Sequence, residues 1–218
     1  MVPTGPKEKP LTVKPQTAEP PLRLAEFLLD APNLVTLGGL AVGLGALGLV
    51  VQERFGPALC LALGAILIDH LDGRLARNRP ERSPALHTFG AHLDCYADFV
   101  SKGVFPALML LTLGAFSPVF WLIAGTHLTV IAIRYSYEFV PGAPRRGLSP
   151  DYSILAFALL YLASPRWGSV YPGILAAVMI AMAGLNLAPF TPPKLRGLGL
   201  IAFVVSSLTL MAFLAGRP

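Results

Sequence analysis

An all-α bundle of membrane-spanning helices is the fold class this sequence predicts, and three observations carry it. Hydrophobic residues make up 54% of the 218 and charged residues only 13%. Mean hydropathy is +0.63, far above what a soluble domain with about 25% charged residues sustains. The apolar residues also gather into successive segments of roughly the length a bilayer demands, parted by short polar connections. The chain therefore reads as a polytopic integral membrane protein of six to eight spans, with seven the best fit.

Residues 1–21 are rich in Pro, Lys, Thr and Glu without periodicity and read as a disordered tail. In residues 22–31, apolar positions 22, 24, 25, 28 and 29 sit beside Arg23 and Glu26. That pattern predicts a short helix lying at the membrane surface and ending before Pro32. The transmembrane domain is residues 32–218. Its first span is Leu34–Gln52, rich in small glycines that let neighbouring helices approach closely. The second opens at Pro57–Ile68. The third runs from about Gly90 to Leu113, the fourth over Val119–Val140 and the short fifth over Tyr152–Ala163. The sixth is Val170–Ala188 and the seventh Leu198–Ala215.

Basic residues set the orientation of such a bundle. With the N-terminus inside, only Arg54, Arg166 and Arg217 fall on the outer side, and Lys102 lies within a span. The other thirteen of the seventeen Lys and Arg residues collect on the cytoplasmic side. The expected location is the cell (inner) membrane with a cytoplasmic N-terminus. Cys60 and Cys95 both lie in apolar segments, which argues against a disulfide framework. The basic residues are not interleaved with aromatics, so nucleic acid is not an expected partner.

The stretch that carries chemistry runs from Asp69 to Asp98. It reads Asp69-His-Leu-Asp72-Gly73-Arg-Leu-Ala76-Arg77, then twelve residues, then Gly90-Ala-His-Leu-Asp94-Cys-Tyr-Ala-Asp98. On a helix, Asp69, Asp72, Gly73 and Ala76 share one face, and Gly90, Asp94 and Asp98 do the same on the next. Two facing helices would bring four carboxylates to one point at the cytoplasmic helix ends. Such a cluster repels itself unless cations neutralise it, so a divalent metal is the simplest partner. A cation transporter is the competing reading from another class. Transporters place such acids near the bilayer midplane, whereas these sit at helix ends beside Ala76-Arg77.

The pattern resembles the signature of the CDP-alcohol phosphotransferases, D-x2-D-G-x2-A-R…G-x3-D-x3-D, with all eight fixed positions filled. The resemblance implies a CDP-linked lipid as substrate, with CMP as the leaving group. It implies two Mg2+ or Mn2+ ions held by Asp69, Asp72, Asp94 and Asp98, and Asp98 as the base for the acceptor hydroxyl. It further implies that Gly73, Ala76 and Gly90 leave room for the nucleotide, with Arg77 available to a carboxylate or a phosphate. Homodimers are common in the family, so one is expected here. His70, His87 and His92 lie close by, but hard cations prefer oxygen and the aspartates supply enough of it.

The run Phe89-Gly90-Ala91-His92-Leu93-Asp94 through Val104-Phe105-Pro106-Ala107 is similar to the phosphatidylserine synthase branch. That branch transfers a phosphatidyl group from CDP-diacylglycerol to L-serine. Pro32 to Gly38, Gly147 to Pro150 and Pro189 to Arg196 are similar to it as well, so the resemblance covers roughly residues 32–200. Cys95 and Tyr96 stand where Ser and Leu are usual, Gly39 where Asn is common, and Lys102 where the branch has an apolar residue. A lysine inside a span needs a partner, and Asp98 and Glu138 are the candidates; an acceptor carboxylate or lipid phosphate is the other possibility. Arg134 and Glu138 on the fourth span join Lys102 as candidate acceptor-binding residues. Choline, glycerol 3-phosphate and an inositol phosphate stay open as alternative acceptors.

Overall fold

The computed structural model describes residues 23–143, 146–191 and 197–217. The N-terminal tail, Leu22, Arg145, Lys194 and Arg196 lie outside the described residues. Among those described, helices connected by turns account for the regular structure. A five-residue helix, α1 (Leu24–Leu28), precedes α2 (Ala31–Val51) and α3 (Phe55–Arg77). Next come α4 (Pro84–Asp98), a π-helical segment (Phe99–Val104) and α5 (Phe105–Leu113), forming one continuous rod. Then follow α6 (Pro118–Glu138), α7 (Asp151–Ala163), α8 (Tyr171–Leu187) and α9 (Leu198–Leu214).

Helices therefore form at all seven expected spans. Five of the helical stretches are long and apolar enough to cross a bilayer. The other two, α7 with 13 residues and α9 with 17, are shorter. Several boundaries shift, each for a local reason. The first span begins at Ala31, because Pro32 sits in the first turn where its missing N–H costs nothing. The third begins at Pro84 rather than near Gly90. Ser83 caps it by accepting from Leu86 N at 3.3 Å, and Pro84 again occupies the first turn. The fifth begins at Asp151, one residue before the expected start.

The rod through α4 and α5 changes pitch because of a proline. Pro106 has no N–H to donate to the carbonyl four residues back, which belongs to Lys102. His127 on α6 fills that vacancy, its Nε2 donating to the Lys102 carbonyl at 3.2 Å. The widened turn falls directly after Asp98.

The core gathers Leu59, Leu63 and Ile66 of α3, Phe105 and Met109 of α5, Ile154 and Phe157 of α7, and Leu175 and Met179 of α8. Large apolar side chains also face outward, among them Trp121, Leu122, Leu159, Leu198 and Phe213. A lipid-facing surface accounts for that inversion. The glycines of α2 divide in their use. A Cβ at Gly39 would sit 3.1 Å from Ile68 Cγ2 and one at Gly45 3.1 Å from Leu61 Cδ1, while Gly38 and Gly48 face open space. Close approach to α3 is thus built on Gly39 and Gly45.

The loop before α7 is docked by its own backbone. Gly147 N donates to Phe190 O at 2.8 Å and Leu148 N to Leu185 O at 2.9 Å. Gly147 has φ +73°, and a Cβ there would collide with the Asn186 carbonyl, so only glycine suits the position. This tie holds Asp151 at the first turn of α7.

Candidate active site

Helix α3 carries Asp69, Asp72, Gly73 and Ala76 through its final turns, and α4 carries Gly90, Asp94 and Asp98 to its last residue. The four aspartates, separated by up to 29 positions in the chain, line one pocket with Thr36, Gly39, Ala65, Ala97 and Ser101. Carboxylate oxygens of Asp69, Asp94 and Asp98 lie within 4.8 Å of one another. An all-oxygen donor set this tight fits a hard divalent cation. The expected convergence of two helix faces is what the fold delivers.

Asp72 is 5% exposed and accepts a hydrogen bond from Thr36 Oγ1 of α2 at 2.6 Å. Asp98 has a partner on each oxygen. Lys102 Nζ lies 2.7 Å from Oδ1, and Tyr135 of α6 donates its phenol to Oδ2 at 3.0 Å. Lys102 is 3% exposed. Its ammonium also contacts Asp69 Oδ2 at 2.9 Å and Asp151 Oδ1 at 2.7 Å. Of the two partners expected for Lys102, Asp98 is present and Glu138 is replaced by Asp69 and Asp151. Asp151 is itself held by Ser149, whose hydroxyl donates to Oδ2 at 2.8 Å.

The remaining candidate residues are placed as follows. Arg77 is exposed and makes no ion pair among the described residues; its guanidinium turns back over Gly73, where a Cβ would sit 3.3 Å from Nη1. At Gly90 the space a side chain would take is filled by the protein itself. A Cβ there would lie 2.7 Å from Asn33 Oδ1 and 3.1 Å from Arg82 Nη2. Arg82 in turn pairs with Asp30 at 2.5 Å, so Gly90 lets α4 settle against the start of α2.

Arg134 directs Nη1 at the carbonyls of Arg146 (2.6 Å) and Asn186 (2.8 Å), and its contact with Glu138 is long at 3.8 Å. Neither Arg134 nor Glu138 pairs with an aspartate of the cluster among the described residues. His70 and His92 hydrogen-bond through Nδ1 to the carbonyls of Ile66 and Thr88, and each stacks on a phenylalanine. These are structural contacts of the kind expected, although His70 also lies within 4.8 Å of Asp69 and Asp151 oxygens.

Thr36, Tyr135 and Asp151 are site residues that the sequence pattern does not single out. Asp151 does carry a signal, since it too is an acid at the end of an apolar segment. Thr36 lies in the run Pro32 to Gly38 without any chemical mark of its own. Tyr135 is marked by its neighbour Arg134 and, with Tyr96 and Tyr137, as a tyrosine available to an aromatic cage for choline.

The model of the CDP-alcohol phosphatidyltransferase family matches residues 29–188. A CDP-diacylglycerol–serine O-phosphatidyltransferase of Mycobacterium bovis is 29% identical over 129 residues, covering 52% of this chain and 44% of that protein. An archaetidylserine synthase of Methanothermobacter thermautotrophicus is 25% identical over 173 residues, covering 77% and 71% respectively. A phosphatidylcholine synthase of Bradyrhizobium diazoefficiens is 27% identical over 175 residues, covering 78% and 62%. The chain spans about half the length of the mycobacterial relatives it matches. With the family match extending from α2 through α8 and enclosing all four aspartates, the chain belongs to the CDP-alcohol phosphatidyltransferase family.

Proposed function

We propose that this protein transfers a phosphatidyl group from CDP-diacylglycerol to the hydroxyl of L-serine, forming phosphatidylserine and releasing CMP. The observation that carries the reading is the meeting of Asp69, Asp72, Asp94 and Asp98 in one pocket at the ends of α3 and α4. Two Mg2+ or Mn2+ ions bound there would neutralise the diphosphate and the charge that grows as its anhydride bond breaks. Gly73 and Ala76 keep the α3 face next to the aspartates low, and the exposed Arg77 is free to meet a phosphate oxygen.

Asp98 accepts the proton of the acceptor hydroxyl. The acceptor oxygen then bonds to the lipid-side phosphorus, the P–O bond of the anhydride breaks, and the electron pair leaves with CMP. Tyr135 and Lys102 hold the two oxygens of Asp98 in place for that transfer. Because the N-terminus and most basic residues are assigned to the inside, the site faces the cytoplasm and its soluble acceptor. The working unit is a homodimer.

The relatives named for serine transfer support serine as acceptor, and the phosphatidylcholine synthase makes choline the second candidate. The test is CMP release by purified protein in detergent, with CDP-diacylglycerol, Mn2+ or Mg2+ and one alcohol at a time. An Asp98→Asn variant runs in parallel. Release that requires serine and is lost in the variant supports the reading. Release with choline instead keeps the reaction and removes the serine assignment. Absence of metal-dependent release with every alcohol removes the enzyme.

A further inference from the structure

Lys102 and Asp151 are not part of the eight-residue motif, yet both are buried, Lys102 against its last aspartate and Asp151 against Lys102. Buried ion pairs are costly, and an apolar pair of similar volume is often as stable or more so. Three elements are nonetheless arranged to keep this one. The π-helical turn and His127 fix the Lys102 backbone, Asp69 and Asp98 flank the ammonium, and the docked loop with Ser149 fixes Asp151.

We propose that Lys102 and Asp151 form a charge clamp that recognises the acceptor as a hydroxy-α-amino acid; this rests on the reaction proposed above. The Asp98 carboxylate, the Lys102 ammonium and the Asp151 carboxylate stand in series, with 2.7 Å between each neighbouring pair. That series is the complement of a small amino acid bearing a hydroxyl. Asp98 meets the hydroxyl proton, Lys102 the carboxylate and Asp151 the ammonium. In the ligand-free arrangement the Lys102 ammonium is shared among Asp69, Asp98 and Asp151, and a zwitterion exchanges the Lys102–Asp151 pair for two intermolecular ones. No net charge is carried into the low-dielectric site, which keeps the solvation cost of the exchange low.

An amino alcohol without a carboxylate would leave Lys102 unmatched, and a hydroxy acid without an amine would leave Asp151 unmatched. Discrimination against both follows from the cost of an unpaired buried charge. The clamp reads only the two charged groups of the acceptor and their distance from the hydroxyl.

The experiment is titration calorimetry of L-serine, ethanolamine and D-glycerate into the detergent-purified, Mn2+-loaded protein. Wild type is compared with Lys102→Met, Asp151→Asn and the doubly apolar Lys102→Met/Asp151→Leu. Wild type should bind serine about 100-fold more tightly than either analogue, as loss of one charge-assisted contact implies. Each single variant should lose about the same factor for serine. The doubly apolar variant should unfold near the wild-type temperature and still bind Mn2+ while failing to bind serine, which separates recognition from folding.

Unchanged serine affinity in the variants, or ethanolamine binding as tightly as serine, overturns the clamp. CMP release measured alongside separates the clamp from the reaction. Turnover onto serine with unaltered serine binding in the variants refutes the clamp alone. Clamp-dependent serine binding without any CMP release refutes the proposed reaction alone.

Discussion

Thr36 donates its hydroxyl to Oδ2 of Asp72 across 2.6 Å, joining α2 to α3 where both residues are buried. The bond ties the carboxylate down from outside the motif, and Asp72 lines the pocket. Ligand orientation of this kind is commonly worth 10- to 100-fold in metal affinity. Thr36→Val preserves the shape and removes the donor. It should weaken Mn2+ activation about 10-fold, read from the Mn2+ concentration at half-maximal CMP release. An unchanged half-maximal concentration would show that Asp72 needs no such support.

Tyr135 acts on Asp98 in the same manner, through a single phenol hydrogen bond of 3.0 Å. Tyr135→Phe should lower kcat about 10-fold, as loss of one hydrogen bond to a charged group implies. The KM for CDP-diacylglycerol should stay within about twofold, because the residues proposed to meet the lipid are untouched. A parallel rise in that KM would mean that Tyr135 supports the pocket as a whole rather than Asp98 alone.

Gly90 makes a prediction about stability. An added methyl would meet Asn33 Oδ1 at 2.7 Å and Arg82 Nη2 at 3.1 Å, and the latter is already committed to Asp30. Gly90→Ala should therefore destabilise the bundle by about 1–3 kcal/mol, the usual cost of overpacking. Gly48 has nothing within 4 Å of the equivalent position, so Gly48→Ala should be neutral or slightly stabilising. Thermal unfolding in detergent compares the two, and equal midpoints would show that the Asn33–Arg82 contact yields freely.

Removal of divalent metal should act on both stability and turnover. Four carboxylates line one pocket, and Lys102 is the single cation in direct contact with them among the described residues. Chelation should abolish CMP release and lower the unfolding midpoint. Mn2+ or Mg2+ at about 100 times its Kd should restore both, adding about 2.7 kcal/mol of stability. A midpoint indifferent to chelator would indicate that the aspartates are neutralised without metal.

Much of the fold and of the candidate site is legible in the amino-acid sequence by itself. The seven apolar segments become helices, and spacings of three and four place Asp69 with Asp72 and Asp94 with Asp98 on single faces. These are properties of a helix taken alone, so local periodicity suffices to read them. Pro106 even marks the position of the altered turn, since a proline inside a span must leave a carbonyl seeking another donor.

Only the tertiary structure decides which side chains surround Asp98. Lys102 follows it by one turn, but Tyr135 and Asp151 arrive from α6 and α7, while Arg134, one residue from Tyr135, ties down the Arg146 and Asn186 carbonyls instead. Likewise Gly90 faces Asn33 and Arg82, and Gly39 rather than Gly38 meets α3. The physical reason is the solvent. In water, an amphipathic stripe announces the buried face of each helix. In lipid, both faces are apolar and helices choose their partners by close fit and scattered polar contacts. The sequence of such a helix therefore states where its chemistry lies, while the packing of the bundle determines what that chemistry touches.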